Sequence, residues 1–579
     1  MKKILLLGIL LVSVYSFALP SASELSIPEL VGQTIMPRLF IGKQQIFKEA
    51  IENGSVTGFF VKAEAGSVFQ PQITLKDQEK FLKQQRKKLL KTMKDVQKWA
   101  AKNPRKIPLF LAFDYEGGTV TSPMFLGLKQ MPSNMLLAAT QDPSLVREMY
   151  GQQAAEIRRI GGNMVLGPVT DVNSNPANPI IQTRSFGDNS AQVGQYSAAA
   201  VVGLQTNGVP AVLKHFPGHG DTATDSHYSQ PVTNLPKEKL WDTHISAFEP
   251  GIEKGVWGIL TNFVVYPQLD DKNSALFSPT ITRTFLRDKM GFQGIVMTDG
   301  LDMGGAGDKS VKDIVLDGYA AGNDILLLTG TVDAYEQSTQ YAQQAVSVVE
   351  ENLKEETPVF SRDELEQSVQ RILNLKELVS SQPTASTDEK EFARVSRKVA
   401  EKGVTLVRDA QNFISQFQDA KEVCVVMFAD GIFSEQVDNF ATTLKQNGKA
   451  VRYVQTPRAP EADAAKRIRT CMKGADAVIA GTSSNSTTHP KQFEMVNDIF
   501  NAAKVYHQPV ALLSLLNPYE IPSYPRASTV VALYGPTMDA TAVAAEILLG
   551  IRPAQGVLPI TLQDNILLPF EKIKRLEIL

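Results

Sequence analysis

Along residues 25–380, short apolar runs alternate with longer stretches in which apolar side chains recur every three or four positions. This is the signature of strands feeding amphipathic helices. The strand-like runs fall at 56–61, 108–113, 164–168, 211–213, 258–260, 294–297 and 324–328. Such runs suit strands covered on both faces, so the pattern predicts parallel βα units. Just past their C-terminal ends stand Asp114, Asp171, Lys214 with His215, Asn262 and Asp299. A TIM-like (β/α)8 barrel gathers those ends on one face, where active sites are built. The expected fold is therefore α/β, with such a barrel over residues 19–380.

The stretch SSQPTASTDE at 380–389 is polar and turn-rich, which predicts a linker over 381–395. Beyond it, strand runs at 423–428, 451–454, 477–480, 510–515 and 530–534 alternate with helical segments at 434–446, 461–472, 492–505 and 540–549. That order predicts a C-terminal α/β sandwich domain over 396–579. It carries no GxGxxG or P-loop spacing, so nucleotide binding has no sequence support.

Composition narrows the function. The 579 residues hold 59 Lys plus Arg against 61 Asp plus Glu, a formal net charge of −2, which argues against a nucleic-acid partner. One segment departs from that balance: residues 76–106 carry twelve Lys or Arg and three acids, with apolar positions at helical spacing. It reads as the solvated face of an outer barrel helix, with attraction of anionic envelope polymers as the alternative. Two cysteines are too few for a disulfide scaffold or a thiolate cluster, and Cys424 in its apolar run reads as core. At the N-terminus, Lys2 and Lys3 precede an apolar run over 4–14 and the small residues of Ser16-Phe17-Ala18. Residues 1–18 are thus expected to be a signal peptide, and the mature chain an exported, periplasmic or secreted protein without a stable membrane span.

Three of the six histidines, His215, His219 and His227, fall within thirteen residues, in LKHFPGHGDTATDSHYSQP. Pro217, Gly218 and Gly220 demand a tight loop there. A metal site could draw on His215, His219, Asp221 and His227, although Lys214 would repel a cation and no recognised zinc spacing is present. Loop hydrogen bonding is a second use. Acid/base chemistry is the third: in Asp225-Ser226-His227 a carboxylate two residues from an imidazole can orient it and raise its pKa. Asp299, at the end of the strand run in GIVMTDGLDM, would supply a nucleophile. Together they suit displacement at an anomeric carbon.

On these residues the chain resembles family 3 glycoside hydrolases, within them the β-N-acetylglucosaminidases of the NagZ type. The matching stretches are FDYEGG at 113–118, MPSNMLLAAT at 131–140, GPVTDV at 167–172, NPIIQTRSFG at 178–187, KHFPGHGDTATDSH at 214–227 and TDGLDM at 298–303. The resemblance implies a retaining exo-β-N-acetylglucosaminidase releasing GlcNAc from peptidoglycan fragments or related β-1,4-linked amino sugars, with no cofactor or metal. It makes Asp299 the nucleophile, His227 with Asp225 the general acid/base, and Asp114, Arg184, Lys214 and His215 the sugar-binding residues. Many relatives place histidine where this chain has Asn262, and a second aspartate where it has Gly300. Alternatives are a phosphorylase, since neutral His227 repels phosphate less than a spent carboxylate would, and a non-catalytic cell-wall-binding protein.

Overall fold

The computed structural model describes residues 19–63, 75–120, 122–307, 309–328, 337–382, 389–483 and 489–562. The expected signal peptide lies outside the described residues. Two sheets make up the N-terminal part. Strands β1 (Ile35–Phe40), β2 (Gly58–Lys62), β3 (Phe110–Phe113) and β4 (Met164–Val165) run parallel in that order. Strands β5 (Val212–Phe216), β6 (Gly258–Thr261) and β9 (Ile295–Thr298) form the second sheet, while β10 (Leu326–Leu328) pairs with β1. A hairpin of β7 (Val265–Tyr266) and β8 (Asp270–Ser274) interrupts the series after β6. The sheets meet at both margins through isolated parallel bridges, Val165 to Ala211 and Met297 to Ile325.

Between the strands lies an apolar interior that includes Met36, Phe60, Phe110, Met164, Leu260 and Met297. Burial on both sides explains why these strands read as unbroken apolar runs. Strand β1 is the exception: Pro37 and Arg38 break its hydrophobicity, so it is missing from the seven runs seen in the sequence. The helix Arg362–Ser381 closes the end of the interior opposite the strand C-termini, packing Ile372, Leu375 and Val379 against it. Its start is set by Ser361, whose hydroxyl accepts from the Glu364 amide while Glu364 reaches back to the Ser361 amide.

The C-terminal sheet contains β11 (Thr405–Asp409), β12 (Glu422–Phe428), β13 (Ala450–Thr456), β14 (Ala477–Thr482), β15 (Val510–Ser514) and β16 (Thr529–Ala532). They lie in the order β11-β16-β15-β14-β12-β13, with only β11 antiparallel. Helix Glu389–Gly403 occupies the second half of the stretch read as linker, and residues 383–388 lie outside the described residues. This helix is tied to the N-terminal part by Lys402 to Asp142 at 2.9 Å and by Arg394 to Glu148. The two parts share one continuous apolar core. Cys424, on β12, and Cys471, on helix Ala464–Met472, are both buried and joined by a disulfide, so Cys424 is core and cross-link together.

The disulfide closes a loop of 47 residues. Cys424→Ala/Cys471→Ala should fold but lose on the order of 2–4 kcal/mol from the C-terminal part. Urea unfolding of the oxidised, reduced and double-variant proteins measures this; equal midpoints for all three would count against the cross-link.

Candidate active site

The C-terminal ends of the strands in both N-terminal sheets line one pocket of about 270 Å³. Asp114, Arg184, Lys214, His215, His227 and Asp299 all line it, so six of the seven residues singled out in the sequence converge on a single space. Asp225, the seventh, stands behind His227.

The pocket floor is a lattice of charges. Lys214 Nζ, with only 3% of its side chain exposed, sits 2.7 Å from Asp114 Oδ1 and 2.6 Å from Glu116 Oε1. Lys62, the last residue of β2, reaches the other oxygen of Asp114 at 3.0 Å. Arg184 grips Glu116 in a fork, Nε to Oε2 at 2.8 Å and Nη2 to Oε1 at 3.1 Å. Burial disfavours the charges of Asp114, Glu116, Lys214 and Arg184, yet the pairing overrides it. Lys214 and Lys62 hold Asp114 far below the usual carboxylate range, and Arg184 with Lys214 holds Glu116 at about 2 despite its burial. Burial likewise opposes the charge of Lys214, and Asp114 with Glu116 raises its pKa nonetheless. Glu116, within the FDYEGG stretch, escaped the sequence reading. Its partners Arg184 and Lys214 stand far along the chain and become its neighbours only in the fold.

Beside the lattice, Asp171 fixes the start of the histidine loop. Its buried carboxylate lies 2.6 Å from His215 Nδ1 and accepts the backbone N–H of His219 at 2.6 Å. Burial would raise its pKa, but His215 and His219 bring it down to about 2. Asn262 donates to the His215 carbonyl at 2.7 Å, and Tyr266 donates to the Gly218 carbonyl at 2.7 Å. Asn262 thus acts as a brace beneath the loop. At Gly220 a Cβ would meet the Val172 carbonyl oxygen at 1.8 Å, so only glycine allows the loop to close on the segment after β4.

His219 and Asp221 turn to structural duties. The His219 ring bonds Thr222 at 2.8 Å and Ser226 at 3.1 Å, and burial pushes its pKa down to about 4. Asp221 accepts from the Thr233 and Ser174 hydroxyls.

His227 differs from the other two histidines. Its side chain is 54% exposed at the pocket mouth, with Nδ1 at 2.7 Å from Asp225 Oδ1, which also accepts the His227 backbone N–H at 2.9 Å. The hydrogen bond to Asp225 outweighs desolvation and raises the imidazole pKa, with Asp299 adding to it. Because Nδ1 is engaged, the titrating proton belongs to Nε2. Asp299 follows β9, its N–H bonded to the Thr261 carbonyl at 3.0 Å and its Oδ1 accepting from Gly300 at 2.8 Å. The loop beyond Asp299 then clasps the histidine loop: Gly305 donates to the Ser226 carbonyl at 2.9 Å and Gly304 to the His227 carbonyl at 3.2 Å. A Cβ on Gly304 would come within 2.7 Å of the Tyr228 backbone.

The profile of the glycosyl hydrolase family 3 N-terminal domain matches residues 27–375. The chain is 28% identical over 525 residues to beta-hexosaminidase A of Pseudoalteromonas piscicida, covering 80% of this chain and 85% of that protein. It is 33% identical over 230 residues to a beta-hexosaminidase of Xylella fastidiosa (strain M12), covering 38% and 67%. Among solved structures, a glycoside hydrolase family 3 beta-N-acetylglucosaminidase from Paenibacillus sp. superposes with a TM-score of 0.80 at 25% identity, over 94% of this chain and 100% of that one.

Two expectations follow from the geometry. Asp225→Asn should bring the His227 imidazole pKa down, below the value above 6.5 of the intact pair, and an NMR titration of the ring reads the shift directly. An unchanged midpoint would mean that Asp225 does not set the titration. Glu116→Ala should cost on the order of 3–5 kcal/mol, because it strands two buried cations. The carboxyl of Glu116 is depressed from 4.5 to about 2 in the fold. Its stabilisation is therefore full above about pH 4.5 and lost as pH falls toward 2, so the variant's deficit in urea unfolding should shrink over that window.

Proposed function

Since the chain belongs to glycosyl hydrolase family 3, we propose that it is a retaining exo-β-N-acetylglucosaminidase that releases GlcNAc from β-1,4-linked amino sugars, with peptidoglycan fragments as the natural substrate. One observation carries the reading: Asp299 and a carboxylate-braced imidazole, His227, line the same pocket above a floor of preformed ion pairs. In this reading the eight parallel strands form the (β/α)8 barrel, residues 396–579 form the sandwich, and the chain is exported. The Cys424–Cys471 bond supports export, since disulfides persist in oxidising compartments.

The sugar enters with its hydroxyls toward the floor. Asp114 accepts from hydroxyl hydrogens, while Lys214 and Arg184 donate to hydroxyl oxygens and His215, its Nδ1 held by Asp171, lines the pocket beside the sugar. Each of these groups is already oriented by a partner, so little reorganisation opposes binding. An Asp299 oxygen then attacks the anomeric carbon as the bond to the leaving oxygen breaks, and His227 Nε2–H passes its proton to that oxygen. The imidazole becomes neutral while Asp225 keeps its Nδ1–H aligned. Neutral His227 next takes a proton from water, the water oxygen bonds to the anomeric carbon, and the ester to Asp299 breaks. Sugar leaves with β configuration, and both catalytic groups return to their starting states.

Incubation with a chromogenic β-GlcNAc glycoside and with defined muropeptides, with every product weighed, tests the proposal. Free GlcNAc in phosphate buffer supports it; a sugar 1-phosphate would make the protein a phosphorylase, and no turnover would make it a binding protein. Asp299→Asn should abolish nearly all turnover, because an amide cannot form the ester. His227→Ala should slow natural disaccharides on the order of 10²–10⁴-fold, and activated aryl glycosides far less, because only the former need a proton for departure. Gly304→Ala should share that signature in milder form, through displacement of the His227 backbone. Equal losses on both substrate types would remove His227 from the role of proton donor.

A further inference from the structure

Helix Leu75–Ala100 carries a line of cations opposite its buried face. Lys80, Lys83, Lys87, Lys91, Lys94 and Lys98 are all exposed and recur at intervals of three or four residues. At about 100° per residue they fall within an arc of roughly 80°, and at about 1.5 Å per residue they extend about 27 Å. Leu89, Met93 and Val96 point to the opposite side, into the core. Among the described residues, only Lys91 of the six forms an ion pair, with Asp95 at 2.6 Å, and Lys98 adds a weaker attraction to the same carboxylate.

This line is not what helix stability selects. An exposed helical face gains from Glu and Lys four apart, whereas like charges at that spacing cost on the order of 0.2–0.5 kcal/mol a pair. The chain as a whole does not call for extra cations either. Residues 76–106 carry +9, leaving −11 for the other 548 residues; Arg86, Lys102 and Arg105 of that segment pair with Glu156, Glu52 and Glu29, and the six lysines of the line are not among them. Its position adds meaning. The helix follows β2, whose final residue Lys62 lines the catalytic pocket, so the line starts on the pocket side of the molecule and runs down the flank.

We propose that this lysine line is a docking track for a linear polyanion, specifically a phosphodiester-linked polymer lying along the helix. Six lysines without a single arginine suit phosphates met as point charges, with no demand for planar bidentate geometry. Repeated spacing of about 4.5–6 Å along the axis suits a flexible chain with regularly repeating charge. A lipid surface is a poorer match, since Leu90 is the one large apolar side chain exposed on this helix among its described residues. The polymer would hold the enzyme in an anionic matrix while the pocket stays open.

The probe is poly(glycerol phosphate) immobilised on resin, with uncharged dextran resin as control, using the full mature protein. Wild type should bind the phosphate polymer and weaken on the order of 10²–10³-fold between 50 and 200 mM salt, as expected for about six neutralised charges. Lys83→Glu/Lys87→Glu/Lys91→Glu/Lys94→Glu should lose retention, and the same four positions changed to Gln should weaken it if the Glu set folds poorly. Changing all four to Arg should restore most of the binding. Turnover of a chromogenic glycoside should be unchanged in each folded variant. Failure of wild type to bind, retention equal to wild type in the Glu or Gln set, or binding to phosphatidylglycerol vesicles in place of the polymer would each overturn the proposal.

Discussion

The site depends on keeping four charged side chains, Asp114, Lys214, Glu116 and Arg184, ionised where burial opposes ionisation. With Lys62 at one end they form a chain in which each neighbour has opposite sign. None of the four could stay charged there alone, because the desolvation cost of an isolated buried ion runs to several kcal/mol. Ordered alternation turns that cost into rigidity. A polyhydroxylated ligand meeting such a floor finds donors and acceptors already aimed, and exchanges its water for fixed partners.

Around this floor the two reacting groups are held differently. Asp299 directly follows a strand, its N–H bonded to the Thr261 carbonyl of the neighbouring strand. His227 rides on a loop at the mouth, half-exposed, kept in place by Asp225 and by backbone bonds to Gly304 and Gly305. A proton donor needs contact with both the leaving oxygen and solvent, whereas a nucleophile needs a fixed line of attack. The difference in their anchoring matches the difference in their work.

Much of this was legible in the sequence because burial on both faces of parallel strands leaves uninterrupted apolar runs, and because polar residues at their ends stand out against them. The loop from His215 to His227 was legible through its bunched histidines and glycines. What escaped has physical reasons. Pro37 and Arg38 interrupt the apolar run of β1. Glu116 has no local pattern, since its partners lie at 184 and 214, far along the chain. The pairing of Cys424 with Cys471 joins a strand to a helix, and neither periodicity reports the distance between them. Helix Glu389–Gly403 was hidden behind the polar, turn-forming residues that precede it.

The second part of the chain sits close to the chemistry, and among the described residues it supplies none of those that line the pocket. The Tyr519 hydroxyl donates to the Asn173 carbonyl at 3.1 Å, Val557 N–H bonds the Ala139 carbonyl at 2.9 Å, and a Cβ at Gly535 would stand 3.0 Å from Gly118 Cα, two residues from Glu116. The loop bearing Glu116 is thereby pressed from behind. In evolutionary terms, a part that shares its core with its neighbour does not vary freely: a substitution on one side of the seam changes what the other side tolerates, as it would not across a bare tether.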